Sequence, residues 1–431
     1  METLRIAIAG TGYVGLVTGV CLAYTGQSVW CVDSNEQKIN TLKAGKSPIY
    51  ETDLEKYMAL AKSKLIYTSD YAKAYSNADV IFIAVGTPES EDGSANTDFV
   101  YNVARQIAET IEKDCVIVVK STVPIGTNDK VENFIKSNLK HDVNIEIASN
   151  PEFLAQGTAV RDTLHASRIV LGVESKKAEK ILREVYAGFQ GVPILVTNRR
   201  SAEMIKYASN DFLALKVSYI NEIANLCNIL GANIDDVAKG MSYDPRIGDK
   251  FLKAGIGYGG SCFPKDARAL IHTAEEHGYD LKTVKASIDV NTRQKTILLE
   301  KARKFYPSFK DKTVAVLGLT FKPGTDDLRE APSIDNIKKL LEEGAHIQAW
   351  DPVGMENFKK IFPAEISYCS SIEEALSNAD ICFIFTDWPE IKKYNTAKFA
   401  KLMNIPYVFD GRNCFKELSG GIKYFSIGRT Y

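Results

Sequence analysis

The sequence predicts an α/β protein with two Rossmann-like, doubly wound domains joined by a long central helix and a helical middle domain. Two regions alternate apolar, strand-length runs with helical patterns, which is typical of parallel sheets covered on both faces. Between them, residues 201–230 contain neither Gly nor Pro, and their apolar residues recur at steps of three and four. We therefore expect domains at residues 1–198, 199–305 and 306–431.

Composition narrows the classes of function. The chain has 431 residues, a net charge of −1 and no basic block, which argues against a nucleic-acid partner. None of the eight cysteines forms a Cys-x-x-Cys pair, so we expect reduced thiols and a cytoplasmic location. The apolar runs are of strand length, and we expect neither a secretory signal nor a membrane partner. The five histidines show no metal-ligand spacing, so no metal is expected.

The N-terminal third predicts one sheet. Its first strand, residues 4–9, is followed by a Gly-rich turn, and the second strand, residues 28–32, ends at Asp33. Further strands are predicted at 80–85, 116–120, 145–148 and 168–172.

The turn after the first strand has the spacing of a dinucleotide-binding loop. Gly10 permits a tight turn, Gly12 lets a pyrophosphate approach the backbone, and Gly15 allows close packing of helix on strand. Asp33 is placed to accept hydrogen bonds from ribose hydroxyls and to repel a 2′-phosphate, which favours NAD over NADP. Asp33 could also serve as the N-cap of the following helix, and the two roles are compatible.

Polar residues follow several later strands. In open α/β sheets, ligands lie beyond the carboxyl ends of strands, so Thr87 and Thr122 should face the cofactor. Glu152 lies in a Pro-containing turn after another strand and is either functional or a surface carboxylate. On the predicted helix 201–230, about 45 Å long, Lys206 and Asn210 share one face and could both reach a substrate. Taken alone, Lys206 would be expected in solvent.

The C-terminal third resembles a distant repeat of the first. Residues 313–318 and 346–350 read as strands, and the tetrapeptide Ser-Asn-Ala-Asp at 76–79 recurs at 377–380 before another apolar strand. Because the six-residue glycine pattern is absent after the first strand of this repeat, its turn is not expected to bind NAD. It could bind a different nucleotide, with Lys322 near the phosphates.

Cys262 lies in a setting unlike that of most other cysteines. A Gly-rich turn at 257–260 precedes it, and Lys265 and Asp266 follow. A nearby cation favours the thiolate, which is the nucleophilic form. A nicotinamide cofactor together with a reactive thiol indicates oxidation of an aldehyde held covalently on sulfur, although Cys262 could also be a buried loop residue.

These motifs together resemble the UDP-glucose/GDP-mannose dehydrogenase family over essentially the whole chain. The resemblance rests on the glycine turn, the Val-Gly-Thr-Pro and Ser-Thr-Val-Pro turns, and the segment Gly-Gly-Ser-Cys-Phe-Pro-Lys-Asp at 259–266. It implies NAD as cofactor and four-electron oxidation of C6 of UDP-glucose to UDP-glucuronate, with GDP-mannose or UDP-N-acetylmannosamine as alternative substrates. A homodimer or higher homo-oligomer is also expected, from the long helix.

The resemblance also implies roles for individual residues. Cys262 would be the nucleophile, Lys206 and Asn210 would stabilise a developing oxyanion, and Asp266, Thr122 and Glu152 would order or activate water. The residues expected to bind NAD are Gly10, Gly12, Tyr13, Val14, Gly15, Asp33, Lys38, Thr87, Thr122, Glu152, Lys265 and Arg329. Those expected to bind the nucleotide sugar are Glu152, Phe153, Leu154, Lys206, Asn210, Arg246, Phe251, Lys253, Gly259, Phe321 and Lys322.

Two positions depart from the family pattern. Ser167 stands where an Asp is expected, and Gln156 occupies a position that is acidic in some members. Two other functions remain open. A β-hydroxyacid-type dehydrogenase would oxidise once without a thiol, and a nucleotide-sensing scaffold would not catalyse at all. Cys262 argues against the first, and the combination of Cys262, Lys206, Asn210 and Asp266 argues against the second.

Overall fold

The computed structural model describes residues 3–429 and contains two compact units. One unit comprises the chain up to Ser209 together with Arg268–Tyr279, and the other comprises Asn210–Ala267 together with the chain from Asp280 onward.

The first unit is built on an eight-stranded sheet. Its strands are β1 (Arg5–Ala9), β2 (Ser28–Val32), β3 (Leu65–Thr68), β4 (Val80–Ile83), β5 (Cys115–Val119), β6 (Ile145–Ser149), β7 (Ile169–Gly172) and β8 (Ile194–Thr197). Their order is β3-β2-β1-β4-β5-β6-β7-β8, which is the doubly wound arrangement that the sequence predicts. β7 joins β6 antiparallel, through the pair Ser149 and Gly172, and β8 is parallel to β7.

Helices alternate with these strands along the chain, and two of them lie between β2 and β3. They are α1 (Tyr13–Tyr24), α2 (Glu36–Lys43), α3 (Leu54–Leu60), α4 (Tyr71–Tyr75), α5 (Asp98–Thr110), α6 (Thr127–Asn138), α7 (Ala159–Leu164) and α8 (Lys176–Val185), with a 3₁₀ turn at Lys62–Lys64. Buried Ile and Val side chains on both faces of the central strands pack against these helices and form the core.

The long predicted helix is present as α9 (Arg199–Leu230), which begins two residues before the predicted start and ends at the residue before Gly231. Gly231 has a φ of 76°, the left-handed conformation that commonly ends helices. Near the start of α9, buried Glu203 accepts hydrogen bonds from the backbone N–H of Gly126 at 2.6 Å and of Asn128 at 2.9 Å. This carboxylate therefore satisfies unpaired donors at the N-terminus of α6.

Further helices follow α9 along the chain: α10 (Ile234–Ser242), α11 (Phe263–Glu276), α12 (Lys282–Gln294) and α13 (Ile297–Ala302). None of the helices within residues 3–429 combines the length and apolar character needed to cross a bilayer.

The second unit contains a six-stranded parallel sheet. Its strands are β9 (Thr313–Leu317), β10 (His346–Trp350), β11 (Ile366–Tyr368), β12 (Ile381–Ile384), β13 (Tyr407–Asp410) and β14 (Lys423–Phe425), in the order β11-β10-β9-β12-β13-β14. The accompanying helices are α14 (Pro332–Glu342), α15 (Met355–Phe358), α16 (Ile372–Leu376), α17 (Pro389–Lys392) and α18 (Ala397–Leu402). The strand order repeats that of the first six strands of the chain, as the recurring tetrapeptide predicts.

Candidate active site

The turn between β1 and α1 is shaped for a close ligand. Gly10 has a φ of 100°, and a Cβ at this position would lie 2.7 Å from the carbonyl oxygen of Ala84. A Cβ on Gly15 would lie 2.0 Å from the carbonyl oxygen of Gly10, so helix and turn pack backbone to backbone. Gly12, the N-cap of α1, faces open space, since a Cβ at this position would have nothing within 4 Å. This open backbone at a helix N-terminus fits a dinucleotide pyrophosphate.

Asp33 lies beside the glycine turn. Its Oδ2 accepts hydrogen bonds from the Thr11 backbone N–H at 3.0 Å and from the Thr11 hydroxyl at 2.6 Å. Burial opposes ionisation, but these bonds, a bond from the Asn35 N–H and the charge of Lys38 together lower the pKa of Asp33. Asp33 is therefore ionised at neutral pH. The N-cap of α2 is Asn35, so the alternative role considered for Asp33 is wrong.

Two further predicted cofactor residues meet at the strand ends. The Thr87 hydroxyl donates to the Thr122 carbonyl oxygen at 2.8 Å, which ties the turns after β4 and β5 together. Tyr13 donates through its hydroxyl to the Tyr50 carbonyl oxygen at 3.1 Å, at the start of α1. Val14 packs against the hydrophobic core.

A buried ion pair lies after β6. Lys206 Nζ donates to Glu152 Oε1 at 2.9 Å, and the two side chains are only 4% and 7% exposed. The other Glu152 oxygen accepts the Leu154 backbone N–H at 2.8 Å. Lys206 is thus a buried, paired cation, contrary to what its residue type alone predicts.

A second lysine lies close to this pair. Lys120 is buried at the end of β5 and donates to Asn150 Oδ1 at 3.0 Å. Burial lowers the pKa of Lys120 to about 8, while Glu152 opposes the shift and the Lys206 charge adds to it. A positively charged cluster with one carboxylate therefore forms inside the first unit, and its net charge favours anionic groups.

Phe153 lies under cations. The Arg168 guanidinium carbon is 3.9 Å from the centre of the Phe153 ring, and Lys206 Nζ is 5.6 Å from it. Arg168 also donates to the hydroxyls of Ser167 and Ser209, each at 3.2 Å. Ser167, one of the two departures from the family pattern, is therefore a neutral hydrogen-bond partner of Arg168.

The loop that carries Cys262 belongs to the second unit and packs against two other predicted site segments. The Gly260 N–H donates to the Arg329 carbonyl oxygen at 2.8 Å, and a Cβ on Gly260 would lie 2.8 Å from the Phe321 ring. A Cβ on Gly259 would lie 2.3 Å from the Glu330 carbonyl oxygen. Only glycine allows this close approach at both positions.

Arg412, after β13, joins the Cys262 loop to two other loops. Its buried guanidinium donates to the carbonyl oxygens of Phe385 at 2.8 Å, Gly257 at 3.1 Å and Phe321 at 2.8 Å. In the sequence, Arg412 stands out only as a cation at a strand end. Its position after a strand was the available signal, but the three carbonyl partners are 27, 155 and 91 residues away and could not be read from the sequence.

Cys262 itself is half-buried and directly precedes α11. The Asp266 N–H donates to the Cys262 carbonyl oxygen at 2.9 Å, which forms the first turn of that helix. The Asp266 carboxylate accepts hydrogen bonds from Asn210 Nδ2 at 2.7 Å and from Lys265 Nζ at 2.6 Å. The position of Cys262 at the N-terminus of α11 favours a thiolate, because the positive end of the helix dipole stabilises negative charge.

The remaining predicted residues have separate surroundings. Lys253 lies 3.4 Å from Asp387, and Arg329 forms a two-point hydrogen bond with Asp327. Arg246 is exposed and pairs with Asp244. The other three are Phe251, exposed with a φ of 62°, Lys322, whose Nζ is 5.5 Å from the Phe321 ring centre, and Lys38, 3.8 Å from Asp33.

Comparison with known proteins matches three family models to successive parts of the chain. Family models of the UDP-glucose/GDP-mannose dehydrogenase family match residues 4–190 as the NAD-binding domain, 200–293 as the central domain and 315–417 as the UDP-binding domain. The chain is 47% identical over 431 residues to UDP-glucose 6-dehydrogenase YwqF of Bacillus subtilis (strain 168), covering 99% of this chain and 98% of that protein.

Solved structures of nucleotide-sugar dehydrogenases also match nearly the whole chain. A UDP-glucose dehydrogenase from Pyrobaculum islandicum is 34% identical, with a TM-score of 0.92, and the match covers 99% of this chain and 97% of that one. A UDP-D-ManNAc dehydrogenase from Pyrococcus horikoshii is 27% identical, with a TM-score of 0.88 and 99% of each chain covered.

Proposed function

The chain belongs to the UDP-glucose/GDP-mannose dehydrogenase family, and from this premise we propose that it oxidises C6 of UDP-glucose to the carboxylate of UDP-glucuronate with NAD. The observation that carries the proposal is Cys262, a half-buried thiol at the N-terminus of α11 in a glycine loop that no bulkier residue could form. A dehydrogenase that stops at the aldehyde has no need of such a group.

The thiol solves a chemical difficulty. The aldehyde made by the first oxidation has no good route to a second hydride loss until a nucleophile adds to its carbon. Addition of the Cys262 thiolate forms a thiohemiacetal that still carries hydrogen on C6, and its oxidation gives a thioester. Attack by water then releases the carboxylate and regenerates the thiol. NAD, when bound, accepts the electron pair of each oxidation, so two NADH leave for every sugar.

Lys206 and Asn210 are one helical turn apart on α9, and we assign them to the oxygen on C6. That oxygen becomes negative as an alkoxide and again in each tetrahedral state, and a preorganised donor stabilises such charge by about 3–4 kcal/mol. The pairing of Lys206 with Glu152 keeps the cation in place before substrate enters. Asp266, with Thr122 and Glu152, would order or activate the attacking water.

For binding, we propose that the glycine turn, Asp33 and the Thr87–Thr122 pair hold NAD in residues 1–198. Residues 199–305 would supply the catalytic loop, and residues 306–431, with Phe321 and Lys322, would bind the nucleotide sugar. UDP-glucose is the substrate favoured by the names of the relatives. Since the Pyrococcus horikoshii structure is a UDP-D-ManNAc dehydrogenase, UDP-N-acetylmannosamine is the second candidate.

We also propose a homodimer formed through α9. From its middle onward, α9 exposes an apolar stripe at intervals of seven residues, formed by Phe212, Tyr219 and Leu226, and continued by Ile229. An exposed stripe of this kind is typical of a helix that packs against another helix. All eight cysteines are free thiols, which supports a reducing compartment such as the cytoplasm.

The test is the yield of NADH per nucleotide sugar. The native protein should give two NADH with UDP-glucose and a uronic acid product, and less activity with UDP-N-acetylmannosamine or GDP-mannose. Cys262→Ser should stall, because a hydroxyl is far less nucleophilic than a thiolate at neutral pH. Cys414→Ser, at the other half-buried cysteine, is the matched control and should retain both turnovers.

Three results would count against the proposal. Near-native turnover of Cys262→Ser to the acid would remove the thiol from the mechanism. A native yield of one NADH would favour a single oxidation, and no NADH with any of the three sugars would favour a non-catalytic role.

A further inference from the structure

Asp211 is a buried carboxyl group that neither the motifs nor the proposed chemistry accounts for. It follows Asn210 on α9 and is only 6% exposed. Both of its carboxyl oxygens are buried, and neither accepts a hydrogen bond from any residue in the range 3–429. A carboxylate without donors in such a place is costly, whereas the protonated group is far less so.

The charged group that acts on Asp211 is Asp266, from α11. Asp266 has the hydrogen-bond donors that Asp211 lacks, since Asn210 donates to one oxygen and Lys265 to the other. The four residues on either side of Asp211 on α9 carry no charge at neutral pH. Burial, and then the Asp266 charge, raise the pKa of Asp211 to about 7. Asp211 therefore keeps its proton below about pH 7, whereas the two donors to Asp266 stabilise negative charge on that carboxyl group.

We propose that Asp211 is a positioning residue that keeps its proton so that, of these two neighbouring carboxyl groups, Asp266 carries the negative charge beside the Cys262 loop. This inference rests on the proposed function, in which Asp266 orders or activates the water that cleaves the thioester. A protonated Asp211 adds no negative charge beside Asp266. An ionised Asp211 would add a second negative charge there, and this charge would oppose the Cys262 thiolate and the anionic tetrahedral states.

The first test compares the pH dependence of kcat in the native protein, Asp211→Asn and Glu222→Gln. Asn has the shape of Asp but cannot ionise, and Glu222 is an exposed carboxylate on the same helix. Between about pH 6 and about pH 9, native kcat should fall by about tenfold as Asp211 ionises. A coupling of about one pKa unit between two titrating groups corresponds to a tenfold change in an equilibrium or rate constant. Asp211→Asn should lack this fall, and Glu222→Gln should retain it. The shape of each profile, rather than its height, is the readout.

The second test needs no turnover. At about pH 6, exposed carboxyl groups are ionised. Because burial also raises the pKa of Glu203 and of Asp410, the readout is the infrared difference spectrum of native protein minus Asp211→Asn, which should contain the C=O stretch of a protonated carboxyl. Absence of that band from the difference spectrum, or superimposable pH profiles for native protein and Asp211→Asn, would overturn the inference. Failure to form NADH from any nucleotide sugar would overturn the proposed function instead, and the infrared band would still report on Asp211.

Discussion

The buried Lys206–Glu152 pair separates a catalytic role of Lys206 from a structural one. Lys206→Met removes the cation and leaves Glu152 as a buried carboxylate whose remaining hydrogen-bond donor within residues 3–429 is the Leu154 N–H. Breaking a buried pair from one side costs about 3–5 kcal/mol. The lower end is expected here. Burial lowers the pKa of Lys120, and the Lys206 charge lowers it further, so removing Lys206 favours protonated Lys120, which offsets part of the lost charge.

The double variant Lys206→Met/Glu152→Gln tests the reasoning. Because no uncompensated carboxylate remains, the free energy of unfolding should return to within about 1–2 kcal/mol of native. Activity should not return with it. Loss of an oxyanion donor lowers kcat by about 10²–10³-fold. This loss should persist in the double variant, which also lacks the Glu152 carboxylate assigned to the water step, and Lys206→Met should still bind NAD and UDP-glucose.

The assays are denaturant unfolding and steady-state NADH formation, both on the full-length protein. Lys176→Met is the matched control, because Lys176 forms an ion pair with Glu179 at 2.8 Å in the same unit but is 94% exposed, so its loss should cost less than about 1 kcal/mol. If activity recovered together with stability in the double variant, Lys206 would be structural. If only KM rose, it would be a binding residue.

Three further predictions follow from single features. Asp33→Asn should lower the preference for NAD over NADP in kcat/KM by about tenfold, which corresponds to about 1.4 kcal/mol of lost repulsion, whereas Glu36→Gln, three residues away and exposed, should not; an unchanged preference would exclude Asp33 from the ribose site. Leu226→Asp should shift the protein from dimer to monomer in light scattering, and a native protein that is already monomeric would contradict the proposed interface. The pKa of Asp211 is raised from an ordinary 3.8 in the unfolded chain to about 7 in the folded protein by burial and then by the Asp266 charge. Its proton therefore stabilises the fold at low pH, and this contribution is lost as pH rises from about 4 to about 7. Relative to Asp211→Asn, the free energy of unfolding of the native protein should therefore fall by up to about 4 kcal/mol over that interval. Parallel curves of unfolding free energy against pH for the two proteins would refute this prediction.

The sequence predicts the fold well where local pattern and tertiary structure agree. The glycine turn, the strand ending at Asp33 and the helix stopped by Gly231 are short-range features whose physical causes lie within a few residues. The antiparallel entry of β7 was not predicted, because an apolar run such as 169–172 has the same pattern in either direction.

The site was less predictable, because its properties arise from distant partners. Lys206 alone resembles a solvated helix residue, whereas in the structure the ion pair with Glu152, 54 positions earlier, stabilises its buried charge. The burial of Asp211 is equally hard to predict. A helical aspartate is usually exposed, and nothing in its neighbours along the chain indicates that Asp266 lies near it. Buried charge depends on pairing across the fold, which a single sequence does not record.

Burial and neighbouring charges from distant parts of the chain also distinguish Cys262 from the other cysteines. Burial raises the pKa of Cys21, Cys31 and Cys115 to about 12, so these thiols stay protonated and behave as small apolar residues. Cys414 is half-buried like Cys262, yet burial and then the Asp410 carboxylate raise the pKa of its thiol strongly. At Cys262, by contrast, a helix begins at the next residue, and Asp266 in its first turn is hydrogen-bonded to Lys265 and Asn210. Since the thiolate is the reactive form, these partners of Asp266 limit the repulsion between that carboxylate and a negative charge on Cys262.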